Sequence, residues 1–133
     1  MKKLLLLGAM SLLFGLQACK KDTPQEVKMV SALQVYEAVY GADALQLIDV
    51  RTEEEYQVSH LKSAQNICVT STDFKEKVEK LDKDKPVYVY CKKGGRSAKA
   101  AEILKDMGFT KVYDLQGGLT SWQEEGLETV QRP

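Results

Sequence analysis

The chain has 133 residues, with 19 Lys+Arg against 19 Asp+Glu, 44% hydrophobic and 8% aromatic residues, three cysteines and one histidine. Such a chain is one modest domain, too apolar to be disordered, without the basic excess of a nucleic-acid binder and too poor in cysteine for a disulfide scaffold. A tandem two-domain enzyme, a polytopic membrane protein and a knottin-like peptide are excluded.

Lys2 and Lys3 precede an apolar run from Leu4 to Leu16, and no acid appears before Asp22. A charged segment followed by an apolar one, well short of the ~20 residues that cross a bilayer, is a removable leader. Leu16-Gln17-Ala18-Cys19 resembles a bacterial lipoprotein signal, with Cys19 as the lipidated residue and residues 1–18 removed. The alternative is an ordinary secretory signal cut near Ala18, leaving Cys19 a free thiol. Residues 19–29 are read as lipidated cysteine and tether, residues 30–133 as the folded domain. The polar run Lys20 to Glu26 reaches about 25 Å at full extension, which holds the domain near the membrane. Lys20 differs from the Asp that signals inner-membrane retention in the enteric pattern. The expectation is an exported, periplasmic or cell-surface protein, on the outer membrane where the host has one.

Beyond the tether, short strand-like runs alternate with helical patterns, the signature of an α/β fold with an open parallel sheet and helices on both faces. Ser31 caps a predicted helix with Leu33, Tyr36, Val39 and Tyr40 at helical spacing, stopped by Gly41. Ala44 to Val50 reads as a strand covered on both faces. Thr52 caps a helix opening on Glu53, Glu54 and Glu55, acids suited to the positive end of the helix dipole. Gln65 to Val69 is a second strand; Phe74, Val78 and Leu81 mark a further helix. Val87 to Tyr90 is the most apolar strand and runs directly into Cys91.

Cys91-Lys92-Lys93-Gly94-Gly95-Arg96-Ser97 then opens a helix carrying Ala98, Ala101, Ile103, Leu104 and Met107, closed by Gly108. A cysteine at the carboxyl end of a parallel strand, ahead of a helix N-terminus, sits where open sheets bind ligands. Two glycines let successive amides converge on one anion, an arrangement that favours thiolate over thiol. Lys92, Lys93 and Arg96 supply positive charge, and Arg96 has the fork to hold an oxyanion bidentately.

At these residues the chain resembles a single-domain rhodanese, a sulfurtransferase. Leu47-Ile48-Asp49-Val50-Arg51 with the acidic helix and Tyr56, His60 through Ile67, the Cys91 to Ser97 loop, and Gly108-Phe109 through Gly117-Gly118 and Trp122 follow the family's motifs in order over residues 30 to 127. Ser59 and Ser63 replace two family glycines and Cys68 replaces a proline. Four residues separate Cys91 from Arg96, as in the sulfurtransferase loop; related phosphatases and arsenate reductases carry one more.

The resemblance implies a thiosulfate:cyanide sulfurtransferase-like enzyme in which Cys91 is catalytic, taking sulfur from thiosulfate or polysulfide and passing it through a persulfide to cyanide or a thiol. It assigns the active-site loop to Lys92, Lys93, Gly94, Gly95, Arg96 and Ser97, a supporting role to Asp49 and Arg51, and scaffold roles to His60, Gly117, Gly118 and Trp122. Neither metal nor other cofactor is expected, the only membrane contact is through the Cys19 lipid, nucleic acid is not a partner, and the protein is expected to be a monomer. Two alternatives stay open: a persulfide carrier without turnover, and a phosphatase or arsenate reductase. Cys68 either fills the proline site or pairs with Cys91 as a disulfide.

Overall fold

The computed structural model describes residues 25–41 and 44–132; the leader and Cys19 lie outside the described residues. The element order is β1 (Glu26–Val30), α1 (Ala32–Gly41), β2 (Gln46–Asp49), α2 (Glu53–Val58), β3 (Gln65–Asn66), α3 (Phe74–Val78), β4 (Val87–Tyr90), α4 (Gly95–Asp106), β5 (Lys111–Leu115) and α5 (Gly118–Glu124). The strands form one sheet in the order β1-β5-β4-β2-β3, and every pairing is parallel. This is the parallel α/β architecture expected from the alternation of patterns.

Strand periodicity divides the interior in two. Val87, Val89 and Cys91 point to one face with Ile48, Val50 and Val112, where Phe74 and Val78 of α3 and Ala100, Ala101 and Leu104 of α4 cover them. Leu47, Tyr90 and Leu115 point to the other, against Val35 and Val39 of α1 and Leu119 and Trp122 of α5. Burial on both faces is what makes the central strand β4 apolar at successive positions. The chain leaves β2 towards β3 on one side and leaves β4 towards β5 on the other. A crevice therefore opens beyond the carboxyl ends of β2 and β4, the topological switch point of an open sheet.

Four local expectations are corrected. Residues 26–29, read as tether, form with Val30 an edge strand in register with β5 from Glu26↔Lys111 to Val30↔Leu115. Its short, half-polar pattern hid it, because only Val27 and Val30 turn inward. On α1 the buried stripe is Ala32, Val35 and Val39, while Leu33 and Tyr40 are about half exposed, at 53% and 49%. The two stripes have the same spacing one residue apart, and the sheet takes the one with smaller side chains, which lets the helix approach closely. On α4, Ser97 and Ala100 are buried and Ala98 faces out. β3 is shorter than Gln65 to Val69, although the Ile67 and Val69 amides still donate to the Asp49 and Val50 carbonyls.

The replaced glycines fare differently. Ser63 holds φ at +67°, the one non-glycine residue with positive φ among the described residues. A side chain there is strained by contact of Cβ with the backbone. Ser59 is extended, at φ −165° and ψ 141°, and needs no glycine.

Candidate active site

Cys91 follows the last residue of β4 and is buried, with 2% of its surface exposed. Gly94, at φ +124°, turns the chain back so that its amide donates to Cys91 Sγ at 3.0 Å. Ser97 Oγ lies 3.5 Å from the same sulfur, and its hydroxyl donates to the Gly94 carbonyl at 3.1 Å. Burial opposes ionisation of the thiol, but the Ser97 hydroxyl and the Ser97, Gly94 and Lys93 amides together outweigh it, and the Cys91 pKa lies below that of an ordinary thiol. The thiolate is favoured where α4 presents its N-terminal amides.

The glycine pair after β5 completes the loop. Gly118, at φ +59°, lies so close that a Cβ would stand 2.4 Å from the Cys91 carbonyl oxygen. That approach lets the Leu119 and Thr120 amides donate to the Cys91 and Lys92 carbonyls at 2.9 and 3.0 Å. The carbonyls of Cys91 and of the residue after it are thereby turned towards α5. Trp122, fully buried, anchors α5 and donates from Nε1 to the Glu128 carbonyl at 2.9 Å. Gly117, Gly118 and Trp122 are thus a turn and an anchor, as expected, and the turn is also a clamp on the Cys91 loop.

Arg96 does not present a free fork. Its Nη1 and Nη2 donate to Glu55 Oε2 and Oε1 at 2.6 and 2.9 Å. The expectation of a fork open to a substrate oxyanion is corrected, because the first turn of α2 brings a carboxylate within bidentate reach. Glu55 also closes a capping box with Thr52, accepting from the Thr52 amide at 3.1 Å. The Arg96 hydrogen bonds, with those from Thr52, hold the Glu55 carboxyl down to about 2. The sequence marked Glu55 as a first-turn acid; its partner Arg96, 41 positions away, left no mark there.

Asp49 and Arg51 form a buried pair, Nη2 to Oδ2 at 2.6 Å, with side chains 0% and 3% exposed. Arg51 also donates from Nη2 to the Ser59 carbonyl at 2.6 Å, and Asn66 Nδ2 donates to the carbonyls of Asp49 and Arg51 at 3.1 and 2.9 Å. The guanidinium lies over the Tyr90 ring at 5.9 Å. Burial, then the nearby Asp49 carboxylate, push the Tyr90 phenol up, and its oxygen accepts from the Leu61 amide at 3.0 Å. Asp49 and Arg51 therefore brace the end of β2 against the segment after α2; the direct tie from this side to the Cys91 loop is Glu55 to Arg96. His60 is scaffold, stacked on Tyr56 at 3.7 Å with Nδ1 2.7 Å from the Tyr56 carbonyl.

Lys92 and Lys93 are exposed, and neither joins an ion pair among the described residues. Lys92 borders a shallow cleft with Arg51, Glu55, Val58, Leu119 and Gln123. Cys68 is half-buried, its Sγ 3.2 Å from Thr70 Oγ1, and both it and Cys91 are free thiols.

The Rhodanese-like domain family matches residues 31–125. The thiosulfate sulfurtransferase GlpE of Coxiella burnetii is 36% identical over 96 residues, 72% of this chain and 87% of that protein. The uncharacterized protein YqhL of Bacillus subtilis is 39% identical over 82 residues, and the match spans 64% of its length. In three dimensions the chain is similar to a rhodanese-related protein from Thermoplasma volcanium, with TM-score 0.69 and 32% identity over 79% of this chain and 99% of the other. With the family's cysteine loop, glycine clamp and sheet all in place, the chain belongs to the rhodanese-like family.

Proposed function

We propose that this protein is an exported sulfurtransferase that carries sulfane sulfur as a Cys91 persulfide. The observation that supports this most is the sulfur of Cys91 held 3.0 Å from the Gly94 amide, inside a short loop whose donors favour an anion on sulfur. Cys91 thiolate attacks the outer sulfur of thiosulfate. The new Cys91 S–S bond forms as the thiosulfate S–S bond breaks, and sulfite leaves with the electron pair. Cyanide or a thiolate then attacks the terminal sulfur, forming thiocyanate or a new persulfide and returning Cys91 as thiolate. The amides of the loop hold the negative charge in both steps without reorganising. Lys92 and Lys93 draw the anionic donor to the cleft, while Arg96 holds the loop through Glu55.

Intact mass after incubation with thiosulfate tests the reading. We expect a gain of one sulfur atom on the native protein and none on Cys91→Ser, with thiocyanate released on adding cyanide. Folded, reduced protein that gains no sulfur from thiosulfate or polysulfide would overturn it. The occupied Arg96 fork favours a second reading, a carrier that receives sulfur from a protein persulfide and has little affinity for a free oxyanion donor. Sulfur gain from a protein persulfide without turnover on thiosulfate distinguishes the two. The same occupied fork and the short loop leave little room for a phosphate ester. For export, the leader and Cys19 support a lipoprotein; labelled palmitate incorporated by the native chain and not by Cys19→Ser is the expected result, and equal labelling would refute it.

A further inference from the structure

One buried acid takes no part in the chemistry above. Asp114 is 1% exposed, and its Oδ1 has no hydrogen-bond partner among the described residues. An uncompensated polar atom at such a position is costly, so a reason for it is worth seeking.

Its place in the fold supplies one. On β5, Val112 faces the α4 side of the sheet, and Asp114, two residues on, faces the same way. Asp114 is in register with Val89 of β4, and Cys91 lies two residues beyond Val89 on that same face. Strand spacing and rise put the two about 8 Å apart between Cα atoms, a gap that one small polar side chain bridges. Ser97, fully buried on the first turn of α4, lies 3.5 Å from Cys91 Sγ, and its hydroxyl acts on the Asp114 carboxyl. The three residues run Cys91, Ser97, Asp114 from the active site into the interior.

The other groups around Asp114 leave its charge uncompensated. From β1 its register partner is Met29, with Lys28 on the opposite face of that strand. From α4, Arg96 is committed to Glu55, and Lys99 and Glu102 are exposed. From β4 the one titratable group on this face is Cys91. Burial raises the Asp114 pKa above that of an ordinary carboxyl, the Ser97 hydroxyl acting in the opposite sense. A second anion beside the Cys91 thiolate is further disfavoured by like-charge repulsion in a low dielectric.

We propose that Asp114 is a positioning residue for Cys91: its protonated carboxyl donates to Ser97 Oγ, and the Ser97 hydroxyl in turn donates to the cysteine sulfur when that sulfur is anionic. With Cys91 as a thiol, the S–H donates to Ser97 Oγ and the Ser97 hydroxyl points to the Gly94 carbonyl. When the thiol proton leaves to solvent, the Ser97 hydroxyl swings to the sulfur and its oxygen is free to accept from Asp114. Asp114 keeps its proton throughout. The use of this chain in stabilising a persulfide rests on the proposed sulfur transfer; its effect on the thiolate does not.

The test reads the thiolate directly, so that it stands whether or not sulfur transfer is found. The full chain is alkylated with iodoacetamide across pH, and the modified Cys91 peptide is quantified by mass spectrometry. Asp114→Val fills the site with an apolar side chain of similar size and removes the donor. Cys91 is expected to titrate about one pH unit higher, reacting about tenfold more slowly at neutral pH. Asp114→Asn retains a neutral donor and is expected to titrate as the native protein does. In a Ser97→Ala background, Asp114→Val is expected to add nothing. Native-like titration of Asp114→Val, an equal shift in folded Asp114→Asn, or a full additional shift without Ser97 would each overturn the proposal.

Discussion

Two arginines lie in the segments that leave the carboxyl ends of β2 and β4, each held by a carboxylate, and they do opposite work. The Arg51–Asp49 pair is sealed from water, and Nη2 of Arg51 donates to the Ser59 carbonyl as well. The Arg96–Glu55 pair is about one-third exposed on both sides, at 35% and 32%, and joins two elements distant in sequence. A sealed pair is costly to form and costlier to break, since removing one partner strands a charge in the interior. A half-exposed pair adds little stability but sets where a loop sits. The first belongs to the frame, the second to the site.

The sharpest way to break the comparison is to remove one partner from each. Asp49→Ala, which leaves Arg51 buried and unpaired, is expected to cost about 3–5 kcal/mol in denaturant melts. That is a large share of a small domain's stability. A loss below about 1 kcal/mol would show the pair is not sealed. Glu55→Gln is expected to cost about 1 kcal/mol or less at pH 7 once solvent screening is allowed for. On the proposed function it should also slow persulfide formation on Cys91, read by intact mass, by freeing Arg96 and the loop.

The acid dependence separates the pairs further. The Glu55 carboxyl sits at about 2 in the fold against 4.5 ordinarily, so its contribution is complete above pH 4.5 and disappears as pH falls through 2. The stability difference between native and Glu55→Gln should accordingly shrink across that window in melts taken at successive pH values; a constant difference would mean the charge is not what matters. At a smaller scale, Ser63→Gly is expected to stabilise by about 0.5–1 kcal/mol by relieving a positive φ, whereas Ser59→Gly should gain nothing, because residue 59 is already extended. Equal effects at the two serines would contradict this backbone account. Smallest of all, raising salt to 1 M should cut the native advantage over Glu55→Gln and leave that over Asp49→Ala nearly unchanged.

Much of the site was legible before any coordinates. Cys91, the glycines behind it and the strand ahead form one contiguous run, and local chain geometry is enough to predict amides converging on sulfur. The Thr52 to Glu55 cap was readable for the same reason, since its partners lie three residues apart. The partner of Arg96 was not, because an arginine with a free fork and one locked to a carboxylate have the same local sequence. Asp114 was invisible in a different way: one acid in Tyr113-Asp114-Leu115 reads as an ordinary polar position until a neighbouring strand and helix close over it. The edge strand β1 was missed because it is recruited by β5, with too little inward apolar surface of its own to announce it.

What the sequence by itself determined is therefore what depends on near neighbours along the chain: the alternation that makes a parallel α/β sheet, the helix caps, and a cysteine loop with donors poised for an anion. The tertiary structure decided what depends on distant ones. It chose which stripe of α1 meets the sheet, gave Arg96 to Glu55 and brought Gly118 within contact of the Cys91 carbonyl. It also placed Asp114 behind Ser97, on the same face as Cys91. The division follows from the physics, since hydrogen-bonding and periodic preferences act over a few residues, whereas burial and charge pairing depend on whichever surfaces packing brings together.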